Sequence, residues 1–114
     1  MNHYRKDVLE FTQDLRTNSL LAKFRAALSS NGFPADEVLL AGYLENEEGI
    51  VVGAIVSKDS VVHEFEYDHE TKKLNRFSKV KPSSIETYID AIHVAVEFFD
   101  ELFAKLRVPK KGGK

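Results

Sequence analysis

The N-terminal stretch carries apolar residues at the spacing of an amphipathic helix. Four of them, separated by four, three and four positions, share one helical face: Tyr4, Val8, Phe11 and Leu15. A second apolar stripe starts at Leu20 and is out of phase with the first. The pattern predicts an N-terminal helix that either kinks or is capped afresh at residues 17–19. It predicts an end near Asn31, because Gly32 suits a left-handed C-terminal cap.

Four runs rich in β-branched and aromatic residues follow, with turn-forming residues between them. The predicted strands are 37–44, 50–56, 61–68 and 74–80. Their short connections predict an antiparallel meander, and the almost entirely apolar second run predicts a central strand. In the third run, alternation puts His63 on a buried face and Glu64 on a wet one. Its acidic residues are expected to pair with basic residues of the fourth strand.

The C-terminal part is predicted to be one long helix packed on a sheet face. Ser83 and Glu86 stand at capping-box spacing, and the apolar pattern continues to Leu106. This helix has more apolar surface than one sheet face needs. The surplus consists of Ile89, Val96, Phe98 and Phe103. We expect these four residues to form a protein-interaction surface.

The order of these elements predicts an α+β fold in which helices are segregated from an antiparallel sheet. We expect a single domain over residues 1–108 and a flexible basic tail at 109–114. The helices are predicted to cover one sheet face and to leave the second face exposed. This outline is similar to that of small acidic secretion chaperones and of cystatin-like domains, and no residue motif assigns the chain to either.

Composition narrows the classes of function. With 114 residues, 43% of them hydrophobic, the chain is long enough to bury one globular core. It contains no cysteine, which excludes disulfides and thiolate chemistry and favours a cytoplasmic location. A formal net charge of -2 disfavours nucleic acid as a partner. The apolar runs are too short for a membrane span, so no membrane association is expected.

Candidate chemistry is sparse. No nucleophile elbow, metalloprotease helix or glycine-rich phosphate loop occurs, so we expect neither enzymatic activity nor a cofactor. Asp90, His93 and Glu97 fall on one helical face, which is typical of a solvated acidic stripe. A metal site there would need a further ligand that the sequence does not identify.

Two functions from different classes remain. The first is non-catalytic protein binding, as a homodimer or as a small adaptor, inhibitor, immunity or chaperone-like protein that uses the C-terminal helix and the exposed sheet face. The second is a small-molecule pocket between the sheet and the helices. Its polar groups are predicted to be His63, Tyr67, Tyr43 and Tyr88.

Overall fold

The secondary structure has the element order that the hydrophobic pattern predicts. A computed structural model describes residues 3–81 and 89–106. Its helices and strands are α1 (His3–Thr17), α2 (Ala22–Ser30), β1 (Val38–Glu45), β2 (Ile50–Ser57), β3 (Val61–Asp68), β4 (Lys73–Val80), α3 (Ile89–Glu97) and α4 (Phe99–Leu106). Short 3₁₀ turns lie at Ser19–Leu21, Ala35–Glu37 and Lys58–Ser60. The α+β class is confirmed, and the strand bounds lie within one residue of those predicted.

The strands form one sheet in the order β1-β2-β3-β4, each antiparallel to the next. The apolar strand β2 lies inside the sheet as predicted, and its Ile55 stands opposite His63 of β3. Between β3 and β4, the guanidinium of Arg76 lies 2.7 Å from a carboxylate oxygen of Glu64. This ion pair is the expected pairing between the acidic strand and its basic neighbour.

Helices cover both faces of the sheet. On one face, Val62 of β3 is buried in a cluster with Ile92 of α3. On the other face, the ring of Phe24 from α2 lies 4.8 Å, centroid to centroid, from the rings of Phe65 and Tyr67. The prediction that the second face, which carries Glu64, stays exposed is therefore wrong, because α3 packs against Val62 on that face while α2 covers the face of Phe65 and Tyr67.

A capped break between α1 and α2 lets the N-terminal helices reach different parts of the core. Asn18 accepts a hydrogen bond from the Leu20 N–H at 2.9 Å and so caps the first 3₁₀ turn. Arg25 of α2 reaches back and donates to the main-chain carbonyl groups of Leu15 at 2.9 Å and Asn18 at 2.6 Å. The predicted break is confirmed, as is the helix end with Asn31 as the C-cap.

Helix α1 lies against β1 and connects two halves of the core. Val8, in its first half, belongs to the cluster beneath α3, and Leu15, in its second half, belongs to the cluster beneath α2. Between them, Thr12 is fully buried, and its hydroxyl oxygen accepts a hydrogen bond from the Leu40 N–H at 2.8 Å. An edge strand has main-chain groups that point away from the sheet, so α1 covers the edge of β1.

Within residues 89–106 the C-terminal part forms two helices, which corrects the prediction of one long helix. They are separated at Phe98, whose N–H still donates to the Val94 carbonyl at 2.9 Å. The Phe98 carbonyl in turn accepts from the Leu102 N–H at 2.9 Å. Residues 94–99 are rich in β-branched and aromatic side chains, which have lower helix propensity than straight-chain residues.

Several predicted features lie outside the described residues. They are the capping box at Ser83 and Glu86, Tyr88, and the tail at 109–114. A single domain over residues 1–108 stays a prediction. Within residues 3–81 and 89–106, no helix combines the length and the apolar character that crossing a membrane requires.

Candidate functional site

The end of α2 is set by a local hydrogen-bond pattern that also positions an aromatic ring. Gly32 has a φ of 89°, and its N–H donates to the Ser29 carbonyl at 3.0 Å. The Phe33 N–H donates to the Leu28 carbonyl at 2.9 Å. The two bonds make a Schellman motif, in which glycine supplies the left-handed residue. The motif directs Phe33 towards His63, and the two ring centroids lie 4.4 Å apart.

An open cleft of about 430 Å³ lies between this loop and α4. We call it the end cleft, because it lies where β1 begins and β2 ends. Its aromatic walls are Phe33 and, from α4, Phe99 and Phe103. The rings of Phe99 and Phe103 stack with centroids 5.3 Å apart and planes inclined by 14°. The charged residues that line the end cleft are Glu37, Lys58 and Asp100.

A second cleft, of about 390 Å³, adjoins the end cleft. The two share three lining residues: Lys58, Phe99 and Asp100. We call the second one the hairpin cleft, because the β2–β3 hairpin lines it, with Asp59 and Ser60 at left-handed φ values of 70° and 64°. Val96 and Phe98, at the break between α3 and α4, also line it. Together the two clefts form one continuous feature, called the groove below.

The structure brings three of the four predicted interaction residues to this groove. Val96 and Phe98 line the hairpin cleft, and Phe103 lines the end cleft. All three are partly buried and pack against the core cluster beneath α3. Ile89 lies elsewhere, in a cavity of about 260 Å³ between α1 and α3.

Arginines of α1 cover part of the apolar surplus. The Arg5 guanidinium lies 3.9 Å from the centroid of the Phe98 ring and 2.8 Å from a carboxylate oxygen of Glu101. The Arg16 guanidinium lies 5.4 Å from the centroid of the Phe103 ring. Burial lowers the pKa of Arg16, although a guanidinium stays charged in proteins. The arginines therefore leave less apolar surface of the C-terminal helices uncovered than the sequence indicates.

His63, the main candidate for ligand binding, is packed between two phenylalanine rings. It is 9% exposed, and its ring centroid lies 4.4 Å from that of Phe33 and 4.6 Å from that of Phe77. Burial, followed by the positive charge of Lys79, lowers the pKa of His63 below its usual value. Its Nδ1 has no hydrogen-bond partner among the described residues. His63 lines neither cleft, and it packs against Phe33, which forms a wall of the end cleft.

Two of the predicted ligand-binding tyrosines share a separate, much smaller cavity. Tyr43 and Tyr67 line a space of about 20 Å³ between α2 and the sheet, which has room for one water molecule. The Tyr67 hydroxyl is buried without a partner in the described part of the chain, and burial raises its pKa. His63 does not line this cavity, and Tyr88 lies outside the described residues. The four residues are thus brought together only in part.

The acidic stripe of α3 is exposed to solvent. Asp90, His93 and Glu97 all have exposed side chains. The Tyr4 hydroxyl donates to Asp90 Oδ2 at 3.2 Å, and this hydrogen bond raises the pKa of Tyr4. Across residues 3–81 and 89–106, no group of three or more His, Asp or Glu side chains is arranged to hold a metal ion.

Two residues of the groove are not marked by the sequence pattern. Phe33 follows a glycine that ends a helix, so its position predicts a contact with that helix and nothing further. Phe99 falls in the core-facing stripe of an uninterrupted helix, and the break at Phe98 changes its surroundings. Phe33 and Phe99 lie far apart in the chain, so no local spacing pattern predicts that they line the same groove.

Comparisons with known proteins gave no match. A scan against protein-family models found none, and neither did searches of curated proteins and of solved structures. The proposal of a function therefore rests on the geometry and the charge of the groove.

Proposed function

We propose that the protein is a non-catalytic protein-binding protein of the adaptor, inhibitor or chaperone-like kind, whose partner inserts an apolar side chain into the groove. The observation that carries this proposal is the end cleft, with about 430 Å³ of space between aromatic rings from two separate elements. Protein interfaces have apolar, well-packed pockets at their centres and polar rims around them. The end cleft combines an apolar wall with a charged rim in the same way.

The walls of the end cleft are supported by contacts with the rest of the protein. Phe33 is held by the Schellman motif and by its contact with His63. On the opposite wall, Phe99 stacks on Phe103, and the Arg16 guanidinium lies near the Phe103 ring. Binding to an ordered pocket loses less conformational entropy than binding to a pocket that must first be ordered. The groove is therefore suited to recognition of a protein surface at modest cost.

The polar groups of the end cleft favour a protein partner over a small molecule. Small-molecule sites place a few polar groups around the ligand inside an apolar pocket. In the end cleft, Glu37, Lys58 and Asp100 are exposed at the rim, and the Ser57 hydroxyl already donates to the Val61 carbonyl at 3.3 Å. Rim charges of this kind set association rate and specificity between proteins. The proposal includes a cytoplasmic location, which suits a sequence without cysteine.

The experiment is a selection of peptides from a random display library on the immobilised full-length protein. Selected peptides are then titrated against the wild type and Phe99→Asp, with affinity measured by fluorescence anisotropy. Because Phe99 lines both clefts, we expect Phe99→Asp to weaken binding at least about tenfold. Leu20→Asp is the matched control, since Leu20 is an apolar residue with 74% exposure that lies outside the groove.

Two further measurements keep the test decisive. Circular dichroism and thermal melts check that Phe99→Asp stays folded, and amide chemical-shift mapping on the wild type locates the peptide without any variant. Shifts centred on Phe33 and Lys58 support the proposal. It is refuted if the library yields no binder, or if the shifts and the affinity losses centre on another surface. Sedimentation velocity of the protein alone tests whether a second copy is the partner, since such a dimer must dissociate in Phe99→Asp.

A further inference from the structure

We infer that the partner segment presents an apolar anchor flanked by lysine or arginine, an inference that rests on the proposed function. The groove carries a larger excess of acidic over basic residues than the whole chain, whose net charge is -2. Among the described residues that line its two clefts, five are acidic and only Lys58 is basic. The acidic residues are Glu37, Asp59, Glu97, Asp100 and Glu101.

This negative charge is only partly neutralised within the described part of the chain. Glu101 forms an ion pair with Arg5 at 2.8 Å. None of the other four acidic residues takes part in an ion pair within residues 3–81 and 89–106. Like charges held on the two sides of one groove repel each other and create a negative potential, which a cationic ligand relieves.

The arrangement of apolar and acidic groups specifies a protein segment rather than a simple cation. The end cleft offers aromatic walls through Phe33 and Phe99, which suit one aliphatic or aromatic side chain. Asp100 lines both clefts, so it lies where a residue next to that anchor would stand. Glu97 lines the hairpin cleft beyond it, at the position of a second flanking residue. Basic residues that extend from the anchor towards the hairpin cleft therefore meet two carboxylates in succession.

The first test uses the peptides selected from the display library. In the best of them, the residues that flank the anchor are replaced throughout by Lys, by Ser or by Glu, and each peptide is titrated against the full-length protein. We expect the Lys-flanked peptide to bind at least about tenfold more tightly than the Glu-flanked one at low salt. The preference should shrink at about 1 M salt, where the Debye length is near 3 Å.

The second test reverses charges on the protein. The double variant Glu97→Lys/Asp100→Lys should lose the preference for Lys flanks and gain one for Glu flanks. Glu47→Lys/Glu48→Lys is the matched control, because it changes the net charge equally in the exposed β1–β2 turn. If the control abolishes the preference as fully as the groove variant does, only the overall charge matters and the inference is overturned.

The remaining outcomes separate this inference from the proposed function. Equal affinity for all three peptides, with binding still dependent on Phe99, overturns the inference and leaves the proposed function standing. Absence of any Phe99-dependent binder overturns both. In the full-length chain, the basic residues near the C-terminus are also replaced by Gln: Lys110, Lys111 and Lys114. A tenfold gain in affinity for the Lys-flanked peptide would identify that segment as the occupant and overturn the external partner.

Discussion

The hydrogen bond from the Leu40 N–H to the Thr12 hydroxyl tests how α1 protects the edge of β1. The two residues are 2% and 0% exposed. In Thr12→Val, a methyl group replaces the hydroxyl at nearly constant volume and leaves a buried N–H without an acceptor. An orphaned buried donor costs about 1–3 kcal/mol, and the added methyl offsets up to about 0.8 kcal/mol. We expect the free energy of unfolding to fall by about 1.5 kcal/mol, which lowers Tm by about 6 °C in a domain of this size.

The assay is urea unfolding followed by circular dichroism, with the exchange rate of the Leu40 amide proton measured by NMR. Thr12→Val should shift the unfolding midpoint without changing the slope of the transition, and the Leu40 amide should exchange faster. Thr12→Ser is the matched control, because it keeps the acceptor and loses only one methyl group. In Thr12→Ser, the exchange rate of the Leu40 amide should match that of the wild type once the difference in global stability is taken into account. A wild-type midpoint in Thr12→Val, together with unchanged exchange at Leu40, would refute the assignment of this bond as the edge cover.

Two further predictions concern the interior of the sheet. The pKa of His63 in the folded state lies below its usual 6.5, so only the unfolded chain takes up a proton as the pH falls through about 6.5. The free energy of unfolding should therefore decline by up to about 1.4 kcal/mol per pH unit until the folded-state pKa is reached. His63→Phe should remove this part of the pH dependence in urea titrations, and identical slopes for the two proteins would contradict the burial argument. In Gly53→Ala, the added Cβ would stand 2.8 Å from Phe65 Cζ and press on the Gly42 carbonyl, so we expect a loss of about 1–3 kcal/mol in the free energy of unfolding. A wild-type unfolding midpoint for this variant would mean that the sheet relaxes at no cost.

The strands and the break at Asn18 could be predicted because their signals are local. Alternation of apolar and polar residues defines a strand within a few positions, and turn chemistry defines its ends. A change in helical phase, combined with a residue able to cap a helix, likewise marks a break within one turn. These signals need no knowledge of which element packs on which. They predicted the sheet order and the helix end at Asn31 correctly.

The covering of the second sheet face could not be predicted in the same way. Helical periodicity states that α2 and α3 have apolar faces, but it does not state which sheet face receives each of them. The acidic residues of β3 also suggested a wet surface, although Val62 on the same side of that strand is buried beneath α3. The break at Phe98 could not be predicted either, because no proline or glycine lies next to it in the sequence.

The groove depends on contacts between distant parts of the sequence. Phe33 and Phe99 line the same cleft because α2 and α4 reach the same end of the sheet from opposite faces. Three of the four predicted interaction residues line this groove, and their role in binding a partner stays a prediction. Ile89 lies in a different cavity, because helical spacing alone does not separate one end of a helical segment from the other.

The two walls of the end cleft differ in how strongly substitutions in them should disturb folding. Phe33 belongs to the motif that ends α2, packs on the imidazole of His63 and forms one wall, so substitutions there should disturb folding as well as the proposed recognition. The opposite wall belongs to α4, which is only eight residues long and carries Phe99 and Phe103 on one side. If the groove binds the proposed partner, changes of specificity should therefore accumulate on α4, while Phe33 should stay constant.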